Sequence, residues 1–244
     1  MHPSFFSFPR FIALLVLLIQ TRLPAIHAQQ SQANPLTWQG GAILAMSGRN
    51  CVAMAVDHRF GQGPVLIETR PRPVLTISNQ CMLTCTGLSG HVQALHHILL
   101  AQLSKRLTIS TTKSTKNVTP NAVISLLSHL LYQQYTSSGQ PFAVEPIVVA
   151  LHPQTQEPWL CSMDSIGALS RAKHVVAAGP TSTLLGVAEA LWRPQLEPDE
   201  LVQVLARAFV SALERDCLSG YGATIYLMTP SEGIVKYPVR MRSD

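Results

Sequence analysis

The sequence predicts an α+β fold built as a layered sandwich, and three observations carry that reading. Short apolar runs bounded by turn residues mark strands near both ends and in the middle of the chain. Other segments repeat apolar residues at three- and four-residue steps, the period of a helix face. The two kinds follow one another as strands, two helices, strands, two helices, strands within 244 residues. Runs of strands and runs of helices in one domain imply α+β packing in layers, and a pair of sheets covered on each side by a helix pair fits the order.

The elements follow along the chain. Residues 1–37 form an N-terminal extension, with a polar, turn-rich linker from Gln29 to Pro35, and residues 38–244 form one domain. Gly41 to Met46 and Cys51 to Val56 are apolar segments separated by Ser47-Gly48-Arg49-Asn50, a hairpin pattern. Val74 to Ser78 and Cys81 to Thr86 make two further strands around Asn79-Gln80. Leu88, Val92, Leu95, Leu99 and Leu103 then form one helical stripe. A second helix starts at Pro120, with Thr119 as its cap and Val123, Leu126, Leu127, Leu130 and Leu131 on its apolar face. The Ser- and Thr-rich stretch from Thr108 to Lys116 is read as the exposed loop between them.

Strands return at Ile147 to Leu151, Trp159 to Met163 and Lys173 to Ala177, with a turn at Asp164-Ser165-Ile166-Gly167. Thr181 to Trp192 is the third helix. The fourth follows Pro198 and carries Asp199 and Glu200 in its first turn, where the helix dipole favours acid. Ala223 to Met228 and Ile234 to Val239 close the chain as a hairpin.

Composition narrows the function. Charged residues are 13% of the chain, about half of the roughly 25% usual in soluble domains. A chain so poor in charge hides surface against partners. The net charge is +5, but Arg70, Arg72, Lys113 and Lys116 are not interleaved with aromatics, which argues against a nucleic-acid footprint. The five cysteines, Cys51, Cys81, Cys85, Cys161 and Cys217, include no CxxC pair, so they are expected as small core residues in a reducing compartment. Cys81 and Cys85 should share one strand face. His91, His96 and His97 lack the i, i+4 spacing of a metal pair and are expected at the surface or an interface. Neither metal nor cofactor is expected.

Against this stands the apolar run Phe11 to Ile19, preceded by Arg10 and followed by Pro24, Ala25 and Ala28. It is signal-like, but too short for a comfortable membrane span. Asn117-Val118-Thr119 would be a glycosylation sequon in a secreted chain.

A family resemblance rests on several segments in order. Gly40-Gly41-Ala42-Ile43-Leu44-Ala45-Met46 precedes Asn50-Cys51-Val52-Ala53-Met54-Ala55-Val56-Asp57-His58-Arg59-Phe60-Gly61. Cys161-Ser162-Met163-Asp164-Ser165-Ile166-Gly167, Leu191-Trp192, Pro198-Asp199 and Asp216-Cys217-Leu218-Ser219-Gly220-Tyr221-Gly222 continue it. Together these resemble proteasome beta subunits from Gln39 to the C-terminus, most of all the non-catalytic beta type-3 group. The resemblance implies the four-layer αββα sandwich of N-terminal-nucleophile hydrolases, assembled in a seven-membered ring.

In catalytic members a threonine freed by cleavage attacks the peptide, its own amine serving as base. The matching position here is Gly41, and the position matching the family's lysine is Pro73, or Arg72 after a one-residue shift. The resemblance therefore implies no catalytic residue. Asp57 matches the family's strand-end aspartate, and Gly87 matches the glycine whose amide forms the oxyanion hole. Asp216, Ser219 and Gly220 match the supporting loop. All are read as structural relics. Gly87-Leu88-Ser89-Gly90-His91 resembles a nucleophile elbow only superficially, because it lacks the GxSxG spacing.

The role implied is structural. The expected partners are beta type-2 and type-4 neighbours and alpha subunits, in stacked hetero-oligomeric rings, without nucleic acid or membrane. Trp159, Cys161 and Asp164 are candidates for lining the neighbour's specificity pocket. Assembly in cytoplasm and nucleus favours a propeptide-like extension, or a gene-model artefact, over a working signal. The alternative is a diverged lumenal or secreted member of the fold acting as a stand-alone binding protein.

Overall fold

The computed structural model describes residues 38–69, 74–109, 118–216 and 218–242. The extension 1–37, Pro73 and Asn117 lie outside the described residues, as does Cys217.

The chain begins with three strands, β1 (Trp38–Gly40), β2 (Ile43–Ser47) and β3 (Val52–Asp57). β4 (Arg59–Gln62), β5 (Val65–Thr69), β6 (Leu75–Ser78) and β7 (Cys81–Leu88) follow. Helices α1 (Ser89–Ile109) and α2 (Pro120–Ser138) lead to β8 (Val144–Leu151), β9 (Pro158–Met163), β10 (Leu169–Ala172) and β11 (Val175–Ala178). Helices α3 (Thr181–Leu191) and α4 (Pro198–Leu213) precede the hairpin β12 (Ala223–Thr229) and β13 (Gly233–Val239).

Among the described residues the strands make two sheets. One has eight strands in the order β10-β9-β8-β7-β1-β4-β5, with β6 also on β7, and the other has five in the order β11-β2-β3-β12-β13. Every pairing is antiparallel.

Strand alternation sorts the apolar residues into three cores. Along β2 and β3, Ile43, Ala45, Val52, Met54 and Val56 meet Met82, Ile147, Val149 and Leu160 between the sheets. The alternate residues, Leu44, Met46, Ala53 and Ala55, pack beneath α3 and α4 against Leu184, Leu201, Leu205 and Phe209. On the other side, Cys81, Leu83, Cys85, Val148 and Cys161 pack beneath α1 and α2 against Leu95, Leu99, Leu127 and Leu131. Both faces of the central strands are therefore covered, which is why their sequences are near-continuous apolar runs rather than alternating ones. The result is helix layer, sheet, sheet, helix layer.

The sequence expectations for α2 hold in detail. Thr119 accepts a hydrogen bond from the Ala122 amide at 3.4 Å, and the C-terminal Gly139 is left-handed at φ 68°. Cys81 and Cys85 share the helix-side face. Other expectations need correction. Thr108 belongs to α1 rather than to the following loop. The strand expected at 173–177 runs Val175–Ala178, because β10 and its turn occupy the residues before it. His96 is 7% exposed rather than at the surface, its ring beside the Cys85 thiol at 3.9 Å.

Candidate functional site

A cleft of about 900 Å3 opens beside β1, lined by Gly40, Gly41, Gly87, Glu145, Ser162 and Asp164 among others. It brings together most of the positions singled out in the sequence. β1 reaches it as an inserted strand: Gly40 pairs with Phe60 of β4 on one side and with Gly87 of β7 on the other. Gly41 thus follows directly from a strand seated in the sheet, and its nitrogen belongs to a peptide bond rather than a free amine.

Gly41 has no room for a side chain. A Cβ built there would overlap the carboxylate of Asp57, and the Gly41 carbonyl lies 2.6 Å from where a Cβ on Gly179 would stand. Asp57 ends β3, is fully buried, and accepts a hydrogen bond from the Gly220 amide at 3.3 Å. It therefore ties the start of the cleft to the loop 216–222. The next residue repeats the link, since the His58 amide donates to the Gly222 carbonyl at 2.9 Å and its ring meets the Thr224 hydroxyl at 2.8 Å. Burial lowers the pKa of His58, which keeps that ring neutral.

The loop is also braced internally. Asp216 accepts from the Ser219 hydroxyl at 2.5 Å and from the Leu218 amide at 3.1 Å. Asp216 and Ser219 thus satisfy each other. Gly87 sits at φ 107°, and a Cβ there would overlap the Ala143 carbonyl oxygen, so only glycine fits the close approach of β7 to the chain before β8.

Two cleft residues escaped the sequence reading. The Glu145 carboxylate accepts from the Thr86 hydroxyl at 3.4 Å and from the Gly179 amide at 3.3 Å, joining β7, β8 and the turn before α3. Its signal was an acid placed just inside an apolar strand. Arg59 is buried and donates to the Leu218 and Gly63 carbonyls at 3.0 and 2.7 Å, pinning the β4–β5 turn to the 216–222 loop. A cation one residue beyond a strand-end acid, followed by Phe60-Gly61, was its signal.

The three neighbour-pocket candidates separate. Asp164 lies at the cleft rim, where one carboxylate oxygen accepts from the Ile166 and Ala168 amides at 3.0 and 2.7 Å and so closes its own turn. Cys161 is corrected: it is 1% exposed in the core beneath α1 and α2, because alternation along β9 turns it to the helix side, and burial raises the pKa of its thiol. Trp159 lies on that same face, half-buried, with the Arg171 guanidinium 5.0 Å from its ring.

Comparison with known proteins gives the arrangement a lineage. Residues 37–228 match the family described as proteasome subunit. A proteasome subunit beta type-3 of Drosophila melanogaster is 35% identical over 210 residues, covering 86% of this chain and 98% of the relative. The subunit of the same description from Picea mariana is 32% identical over 208 residues, with coverages of 85% and 98%. Proteasome subunit beta type-3-B of Arabidopsis thaliana is 34% identical over 196 residues, with coverages of 80% and 92%.

Proposed function

The chain belongs to the proteasome subunit family, and we propose that it serves as a non-catalytic beta subunit of the 20S core, of the beta type-3 kind. It builds the beta ring and contributes no nucleophile of its own. The observation that carries the second statement is Gly41. The residue standing where the family's nucleophile stands has no side chain, and the Asp57 carboxylate fills the space one would need. The amide nitrogen there continues into β1, so neither half of a shared nucleophile and base is present. Pro73 replaces the family's lysine in the same reading and supplies no titratable group. Asp57, Gly87, Asp216 and Ser219 remain because they brace the loop and the strand approach.

Its neighbours are beta type-2 and type-4 subunits within the ring and alpha subunits above it, in cytoplasm and nucleus. Asp164 and its turn line the rim that faces an active neighbour. The experiment is native isolation through a C-terminal tag, with co-purifying chains identified by mass. Recovery of the other beta and alpha subunits is the expected outcome. Recovery of the chain alone, glycosylated at Asn117, contradicts it. Within recovered particles, Asp164→Ala should alter cleavage after basic residues while leaving assembly intact. Unchanged cleavage would remove the rim from the account.

A further inference from the structure

The eight-stranded sheet ends in two strands that the fold leaves uncovered. β5 lies at one edge and all five of its residues are exposed, including Val65 at 62%, Leu66 at 37% and Ile67 at 42%. β10 lies at the opposite edge, where Leu169 is 44% exposed and Ile166, in the turn just before it, 39%. A sheet edge presents unpaired backbone groups, and an apolar edge invites a partner unless charge or a bulge blunts it. Here each edge carries apolar residues and one exposed charge of opposite sign, Glu68 on β5 and Arg171 on β10.

Two different surfaces at opposite ends of one sheet cannot be a two-fold contact, in which the same patch meets itself. They suit a head-to-tail contact, which closes into a ring when the rotation allows. A chain of the same fold presents the same pair of edges, so an acidic apolar edge of one subunit can meet a basic apolar edge of the next.

We propose that β5 is the surface by which this chain receives one ring neighbour, and that the 166–171 edge is the surface by which it reaches the other. The occupant of each is a different subunit of the same family rather than a second copy of this chain. This rests on the assembly role proposed above and adds which face meets which side.

The test uses the full chain, tagged at its C-terminus and expressed with the other subunits of its particle. Ile67→Asp and Leu169→Asp are introduced separately, both at exposed positions outside the three cores. Assembly intermediates are then read by native mass spectrometry. The unaltered chain should carry two different beta neighbours. Ile67→Asp should lose one of them about tenfold and keep the other, and Leu169→Asp should do the reverse. Retention of both neighbours in both variants overturns the edge assignment, as does loss of the same neighbour in both. Recovery of homo-oligomers overturns the choice of occupant. A photo-crosslinking residue at position 67 gives a second readout independent of folding: adducts to one beta neighbour support the assignment, and adducts to an alpha subunit refute it. If the unaltered chain recovers no family subunit, the assembly role itself fails, and this inference with it.

Discussion

The space between the two sheets and the cleft beside β1 are built from opposite materials. Between the sheets, side-chain volume does the work: Ile43, Met54, Met82, Val149 and Met228 interdigitate with no exposure. At the cleft the same strands are held by the lack of side chains. Gly41, Gly87 and Gly179 let backbone approach backbone, and the carboxylates of Asp57, Glu145 and Asp216 link the segments by hydrogen bonds. The difference shows which part of the molecule preserves shape and which part once had to hold chemistry. Removing atoms should damage the first region, and adding them should damage the second.

The largest effect is expected in the cores. Phe209 is fully buried beneath α4, and Phe209→Ala should cost about 3–5 kcal/mol through the cavity it leaves. Urea unfolding of the full chain measures this, and a loss below about 1 kcal/mol would break the side-chain half of the comparison. Next comes the opposite operation. Gly41→Thr adds a hydroxyl where a nucleophile would stand, but it must displace Asp57. It should destabilise by roughly 1–3 kcal/mol, the usual cost of overpacking, without creating hydrolysis of fluorogenic peptides. Peptide cleavage by the assembled variant would show that the cleft is dormant rather than dismantled.

Ser219→Ala tests the bracing of the loop. It removes the hydroxyl that donates to Asp216, and about 1–3 kcal/mol should be lost because the acceptor is charged and the serine is buried. Added protease should then cut the 216–222 loop first.

The smallest effect is a pH dependence from the helix-side core. Burial, and secondarily the neighbouring His97, lower the pKa of His96. A histidine whose folded value lies below its unfolded value contributes its full stability above the ordinary value of 6.5. That contribution falls away as pH drops from there towards the depressed folded value, because the unfolded chain then binds the extra proton. His96→Phe should flatten the acid side of the stability profile. An unchanged slope would assign it to His58 instead, whose value is also lowered.

How far the sequence carried these regions follows the same division. The central strands and all four helices were legible because burial on both faces, or on one helical stripe, leaves long apolar runs or a clear period. The short strands β1, β4, β5 and β10 were not. Gly61, Gly63 and Pro64 interrupt the pattern at β4 and β5, and β10 has little apolar burial to advertise it. In the cleft, Asp57, Gly87, Asp216 and Ser219 were reached by resemblance, and their hydrogen bonds needed coordinates. Glu145 and Arg59 were missed because a lone charge beside an apolar run carries no period. Cys161 was misassigned because its face depends on the register of β9, which shifts sides with each residue.

The central claim is that this subunit holds its place in a proteolytic particle without a nucleophile. Treating the intact particle with an electrophilic peptide that captures N-terminal threonines, and then weighing each chain, tests it most directly. The account predicts adducts on catalytic beta subunits and none on this chain. An adduct on this chain, mapped to any residue bordering the cleft, would contradict it.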